Sequence, residues 1–209
     1  VGLLPGGVLD MAVQDGRARY DHFRMPTRLS DWLGAYHRGV TQPTPETIFD
    51  FRANVSDYLA ENGEMTSFSI ERDTPDGFTP TRSLRAAYDA YLEAANAPGE
   101  YQDSHCSVFF GASLELMLRD LKFLGVIDLE VVDVSETNGM EFYVHLRKPK
   151  DASTASEPGQ EAAFFTKRES LLRDVQSGLG VHGLATYRKK PSGKRFVRYI
   201  LGDNLTRKI

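Results

Sequence analysis

The sequence holds one cysteine, Cys106, and one tryptophan, Trp32. A single thiol excludes an intramolecular disulfide framework and a zinc site built on several thiolates. No apolar run approaches the roughly 18 residues that span a bilayer, so no membrane span is expected and the chain reads as cytoplasmic. The opening Val1-Gly2-Leu3-Leu4-Pro5-Gly6-Gly7 has neither an initiator Met nor a basic stretch ahead of an apolar core. It therefore reads as the interior of something longer, not as a signal peptide. No internal repeat is present.

What remains is a chain of 209 residues, 41% hydrophobic and 26% charged. That suits one domain with an extension and is apolar enough to bury a core. Its charge is divided: residues 1–149 carry a net −10 and residues 150–209 a net +6. An acidic body repels phosphate, which argues against nucleic-acid binding. The basic end reads as a solvated terminus.

Along the chain, Pro5-Gly6-Gly7 is a turn, and Val8 to Val13 is an apolar run with one polar interruption and no helix caps. It predicts a strand buried on both faces, as in a parallel sheet. Leu29, Trp32, Leu33 and Tyr36 predict a helix capped by Gly39. Thr44-Pro45-Glu46 opens a second helix, with Ile48, Phe51, Val55 and Leu59 on one face, ending near Gly63. Met65 to Ile70 reads as a short edge strand, and Asp73 to Gly77 as a turn. A third helix carries Leu84, Ala87, Tyr88, Tyr91, Leu92 and Ala95. Ser113 is read as the cap of a fourth, which Gly125 closes.

Val126 to Val134 alternates as a strand, and Phe142, Val144 and Leu146 mark another beyond the Asn138-Gly139 turn. So short a connection makes the two antiparallel. The expected fold class is thus α/β: parallel strand, helical insert near 29–99, helix, antiparallel strand pair. Residues 1–149 form this body, 150–160 a linker, and 161–209 a helix and basic tail. Gly178-Leu179-Gly180-Val181-His182-Gly183 matches G-x-G-x-x-G literally. A helix precedes it and a basic coil follows, the wrong order for cradling a phosphate.

Leu3-Leu4-Pro5-Gly6-Gly7 with the strand after it resembles the turn and fifth strand of class I S-adenosylmethionine-dependent methyltransferases. The run from Ser113 to Arg147 resembles that fold's ending, a helix and two strands, the last inserted antiparallel. Val13 to Arg17, Tyr20 to Arg24, Asp103 to Phe109 and Glu141 to Val144 resemble bacterial methyltransferase-domain proteins associated with glycosyltransferases. In that family a glycine-rich loop, an acidic residue and a further motif hold the cofactor, and all precede the Pro-Gly-Gly turn. Four residues precede it here. The resemblance thus implies the C-terminal half of a Rossmann-like sheet, with S-adenosylmethionine belonging to the full-length parent and no cofactor expected on this chain alone.

The residues after Val13 lie where open parallel sheets place their ligands. His22 or Asp21 is a candidate to take a proton from an acceptor hydroxyl. Arg17 or Arg24 could hold an anionic group, with Asp15 and Tyr20 beside them as further acceptor-binding candidates. His105 is a third candidate base, and Asp103 a carboxylate able to fix its tautomer. Against this stands a loop whose charges merely pair with one another. His105-Cys106 lacks the further soft ligands of a metal site. The implied activity is methyl transfer to a small polar acceptor, such as a sugar, with a linked glycosyltransferase as a possible partner. The other reading is a non-catalytic binding module that kept the methyltransferase ending.

Overall fold

A computed structural model describes residues 2–69, 73–80, 83–97, 99–150 and 159–179. Ile70, most of the linker at 150–160, the last four residues of the G-x-G-x-x-G match and the basic tail lie outside the described residues. Among those described, five helices and two small sheets form a mixed α/β arrangement.

Three strands make the main sheet: β1 (Val8–Gln14), β4 (Glu130–Val134) and β5 (Glu141–Arg147), in the order β1-β5-β4. The β4–β5 pair is antiparallel, as the short connection requires, with Gly139 in its turn at φ 64°. The register shifts between Val131 and Asp133, so Val132 bulges outward. The last strand lies in the middle and is antiparallel to both neighbours.

The expectation of a parallel strand at Val8–Val13 is corrected here. β1 pairs antiparallel with β5, Val8 opposite Arg147 and Gln14 opposite Glu141. Nor is it buried on both faces: Val8 is 56% exposed, while Met11 and Val13 pack toward the core. Strands in an antiparallel sheet with one covered face alternate in this way. In β5, Phe142, Val144 and Leu146 point inward while Tyr143 and Arg147 are exposed.

The covering element is α4 (Gly111–Phe123), whose Leu114, Met117 and Leu118 meet the inward side chains of β5. It starts two residues before the predicted cap. Phe110 is the N-cap and Ser113 sits at N3, its hydroxyl accepting the Phe110 N–H at 2.9 Å. Gly125 follows the helix at φ 70°, as expected of a terminating glycine.

Between β1 and α4 run α1 (Leu29–Arg38), α2 (Pro45–Asn54), β2 (Ser56–Tyr58), β3 (Phe78–Pro80) and α3 (Leu84–Asn96). α1 ends at Gly39 with φ 63°, and α2 is capped by the Thr44 hydroxyl on Thr47 N–H. α2 stops at Asn54, well short of Gly63. Ser56 instead donates its N–H and its hydroxyl to the Tyr20 carbonyl, and β2 pairs with β3. In place of the strand expected at 65–70 there is one isolated bridge, Leu59 to Met65.

α5 (Gln160–Leu179) lies along α4. Phe164 stacks on Phe123 at 4.0 Å, Arg168 pairs with buried Asp120 at 2.9 Å, and Leu171 is buried. Gly178 belongs to this helix. A Cβ there would lie 2.7 Å from the Phe110 ring, so glycine serves close packing at that point.

Candidate functional site

The carboxyl end of β1 runs into a compact polar cluster. Asp15 is fully buried and accepts four donors: Arg17 N–H and Nε at 3.0 Å, Arg17 Nη2 at 2.6 Å, and the Thr137 hydroxyl at 2.7 Å. The Arg17 guanidinium also lies over the Phe110 ring, 4.4 Å from its centre. Asp15 thereby caps the 3₁₀ turn Gly16–Ala18 that follows β1.

Asp21, also buried, holds two partners. Its Oδ1 accepts Arg24 Nη1 at 2.7 Å and its Oδ2 accepts His105 Nδ1 at 2.7 Å. Arg24 continues to Asp50 of α2, Nε to Oδ2 at 2.7 Å. The result is a chain Asp50–Arg24–Asp21–His105 drawn from three separate segments. Phe51 packs against the His105 ring at 4.8 Å, and Arg52 ties the same loop to α2 through Gln102 at 3.1 Å.

A carboxylate can only accept, so Asp21 fixes the Nδ1–H tautomer of a neutral His105 and leaves Nε2 with its lone pair. The His105 side chain is 41% exposed, so the ring is held on one side and open on the other. Such an imidazole can take a proton from a hydroxyl placed within hydrogen-bond reach.

Of the residues singled out from the sequence, Asp21, Arg24 and His105 come together, and Asp15 and Arg17 form a neighbouring pair. His22 turns elsewhere: its Nδ1 donates to the Arg17 carbonyl at 2.6 Å, and its ring stacks on Phe78 at 4.1 Å. Tyr20 is half exposed beneath the Arg19 guanidinium. Asp103 is exposed and accepts the Tyr101 hydroxyl at 3.2 Å, which pushes the Tyr101 phenol above its ordinary value. The carboxylate beside His105 is therefore Asp21, 84 residues away in sequence, and not Asp103. Asp50 and Thr137 had no sequence signal, because only the fold carries them to their partners. Desolvation pushes the Cys106 thiol up, against the pull of Arg24.

Arg24 and Asp50 also line a cleft of about 1280 Å³ bounded by α1, the start of α2, the loop before α4, α4 and α5. Trp32 sits in its wall, its Nε1–H donating to Ser107 Oγ at 3.0 Å. Among the described residues, no group of three or more His, Cys, Asp and Glu is arranged to hold a metal ion, and no helix is long and apolar enough to cross a membrane. Compared with protein-family models, with curated proteins and with solved structures, the chain has no match.

Proposed function

We propose that this chain is the acceptor-side portion of an S-adenosylmethionine-dependent methyltransferase acting on a small polar acceptor such as a sugar. The reading carries with it a cytoplasmic protein and a linked or neighbouring glycosyltransferase. The observation that carries it is the Asp21–His105 pair beyond the end of β1: a buried carboxylate orients a partly exposed imidazole whose neighbours Arg24, Asp50 and Cys106 line a large cleft. Two features of the sheet support it. The last strand is inserted antiparallel between its neighbours, and among the described residues no strand pairs with the outer edge of β1.

The described residues do not fit the cofactor. Among the described residues no glycine-rich loop joins a strand to a helix, and Gly178 lies inside α5 against Phe110. In this reading the residues that hold the adenosyl group belong to the other half of the enzyme. This chain binds the acceptor and provides a base: the acceptor hydroxyl gives its proton to His105 Nε2, and the resulting imidazolium faces the Asp21 carboxylate through Nδ1.

Titration of S-adenosylmethionine against the 209-residue chain is expected to show no saturable binding, and micromolar binding would contradict the assignment to the acceptor side alone. The reading frame 5′ of the codon for Val1 is expected to encode the glycine-rich strand–loop–helix. A protein extended to include it should methylate sugars, and His105→Gln should slow that transfer by about 100-fold or more. An upstream frame without the segment, or an unaffected His105→Gln variant, would sink the proposal. The competing view of a non-catalytic module draws on one feature: among the described residues every buried side-chain polar atom already has a partner, as a structural brace requires.

A further inference from the structure

The cleft lined by Arg24, Asp50 and Cys106 has a charge pattern of its own. Its wall contains four arginines, Arg24, Arg28, Arg38 and Arg168, and four carboxylates, Asp31, Glu46, Asp50 and Asp120. Three of the arginines are tied to carboxylates of the same wall. Arg24 meets Asp50 at 2.7 Å, Arg28 meets Asp31 at 2.8 Å, and Arg168 meets Asp120 at 2.9 Å. Glu46 is held below its ordinary value chiefly by its own backbone N–H and the Thr44 hydroxyl, with the charge of Arg38 a smaller contribution. Among the described residues the lining thus sums to zero formal charge, with three of its four arginines paired directly to a carboxylate of the same wall. Outside the cleft Arg17 is committed to Asp15 in the same manner.

An ion entering such a space would lose hydration and meet charges that are for the most part already paired and that sum to zero, so little in the wall offsets that cost. A purely apolar ligand fares poorly for another reason. Thr41 and Gln42 present a hydroxyl and an amide that would lose water and gain no partner, beside the hydroxyls of Thr47, Tyr101 and Ser107, which already bond within the wall or to Asp103. Leu29, Trp32, Leu116 and Met117, on the other hand, give the same cleft an apolar side. A molecule with hydroxyls on its rim and C–H groups on its faces satisfies both surfaces. The volume, about 1280 Å³, exceeds the roughly 300–1,000 Å³ of ordinary small-molecule sites, which favours more than one sugar ring.

We infer that this cleft is a binding site for a short, uncharged oligosaccharide. The inference deepens the proposed acceptor role by giving the acceptor's charge class, and it rests on that reading only in calling the ligand an acceptor.

The chain has a single tryptophan, and it lines this cleft, so its fluorescence reports occupancy directly. The experiment titrates the 209-residue chain, without any methyl donor, with neutral di- and trisaccharides of glucose, galactose, mannose and rhamnose. Glucose 6-phosphate and glucuronate serve as charged counterparts, and octanol as the apolar one. At least one neutral oligosaccharide should give a saturable change, with the charged and apolar probes about tenfold weaker or more. Gln42→Ala should weaken that binding about tenfold, the loss of one hydrogen bond, with an unchanged thermal melt. No saturable change with any neutral saccharide overturns the inference. So does equal or tighter binding of a charged or apolar probe, or binding indifferent to Gln42→Ala. Because no methyl donor is present, failed methyl transfer with intact sugar binding would count against the enzyme reading alone.

Discussion

Asp21 accepts from two donors at very different distances along the chain, Arg24 three residues on and His105 84 residues on. Removing one partner of a buried ion pair strands the other, and such losses run to about 3–5 kcal/mol. Asp21→Asn keeps the shape and removes the charge; Arg24 retains only Asp50, which is half exposed. The variant should lose about 3 kcal/mol of unfolding free energy in a urea titration, whereas His105→Gln, at a partly exposed site, should stay within about 1 kcal/mol of the parent. Equal losses for both would mean that the imidazole is as structural as the carboxylate. Two other carboxyls give the fold an acid dependence. Asp31 is held below the ordinary range chiefly by its hydrogen bond from Arg28, and Glu46 by the backbone N–H at the start of α2. A depressed carboxyl stabilises the fold above its unfolded value, and that stability is lost as pH falls through the folded value. Chemical denaturation across the acid range should therefore show stability falling below the ordinary carboxylate range, and Glu46→Gln should flatten part of the slope. A parent and variant with identical pH profiles would refute the assignment.

At the scale of elements, β1 has two unlike edges. Asp15 N–H donates to Met140 and Lys148 N–H to Gly7, so odd-numbered residues of this strand direct their backbone groups at β5. Val8, Asp10, Ala12 and Gln14 direct theirs away from it. Val13→Pro deletes a ladder bond and Ala12→Pro does not. The first should cost about 2 kcal/mol more than the second by thermal or urea melts; equal costs would mean that the pairing is out of register by one. The helices were the most legible part of the chain, because their signals are local. Thr44-Pro45, Gly39 and Gly125 mark termini by backbone geometry, and the Leu114, Met117, Leu118 stripe shows which face is buried. The errors fell where distant residues decide. Val55 and Leu59 continue a helical stripe, yet the chain leaves the helix because Tyr20 offers Ser56 a carbonyl and Phe78–Pro80 offers a strand partner. The apolar run at Val8–Val13 reads as a strand from its own residues, but the direction of its partner is a property of β5, which no local pattern carries.

For the molecule as a whole, the same contrast holds between site and scaffold. The cluster of charged residues after β1 could be seen in the sequence. Which carboxylate would meet His105 could not, because Asp21 lies 84 residues from it and the two segments meet only through long-range bonds such as Thr27 N–H to the Val108 carbonyl. A last consequence concerns the Gly16 N–H, which donates to the Phe109 carbonyl at 2.8 Å in a parallel bridge alongside Asp15. Phe109 occupies the lane an eighth residue of any incoming strand would need. Nothing comparable bars the lane from Val8 to Gln14 among the described residues, a run of about 23 Å at 3.3 Å per residue. The molecule thus carries a built-in stop at one end: a polypeptide laid against that flank is halted at Gln14, whatever its side chains.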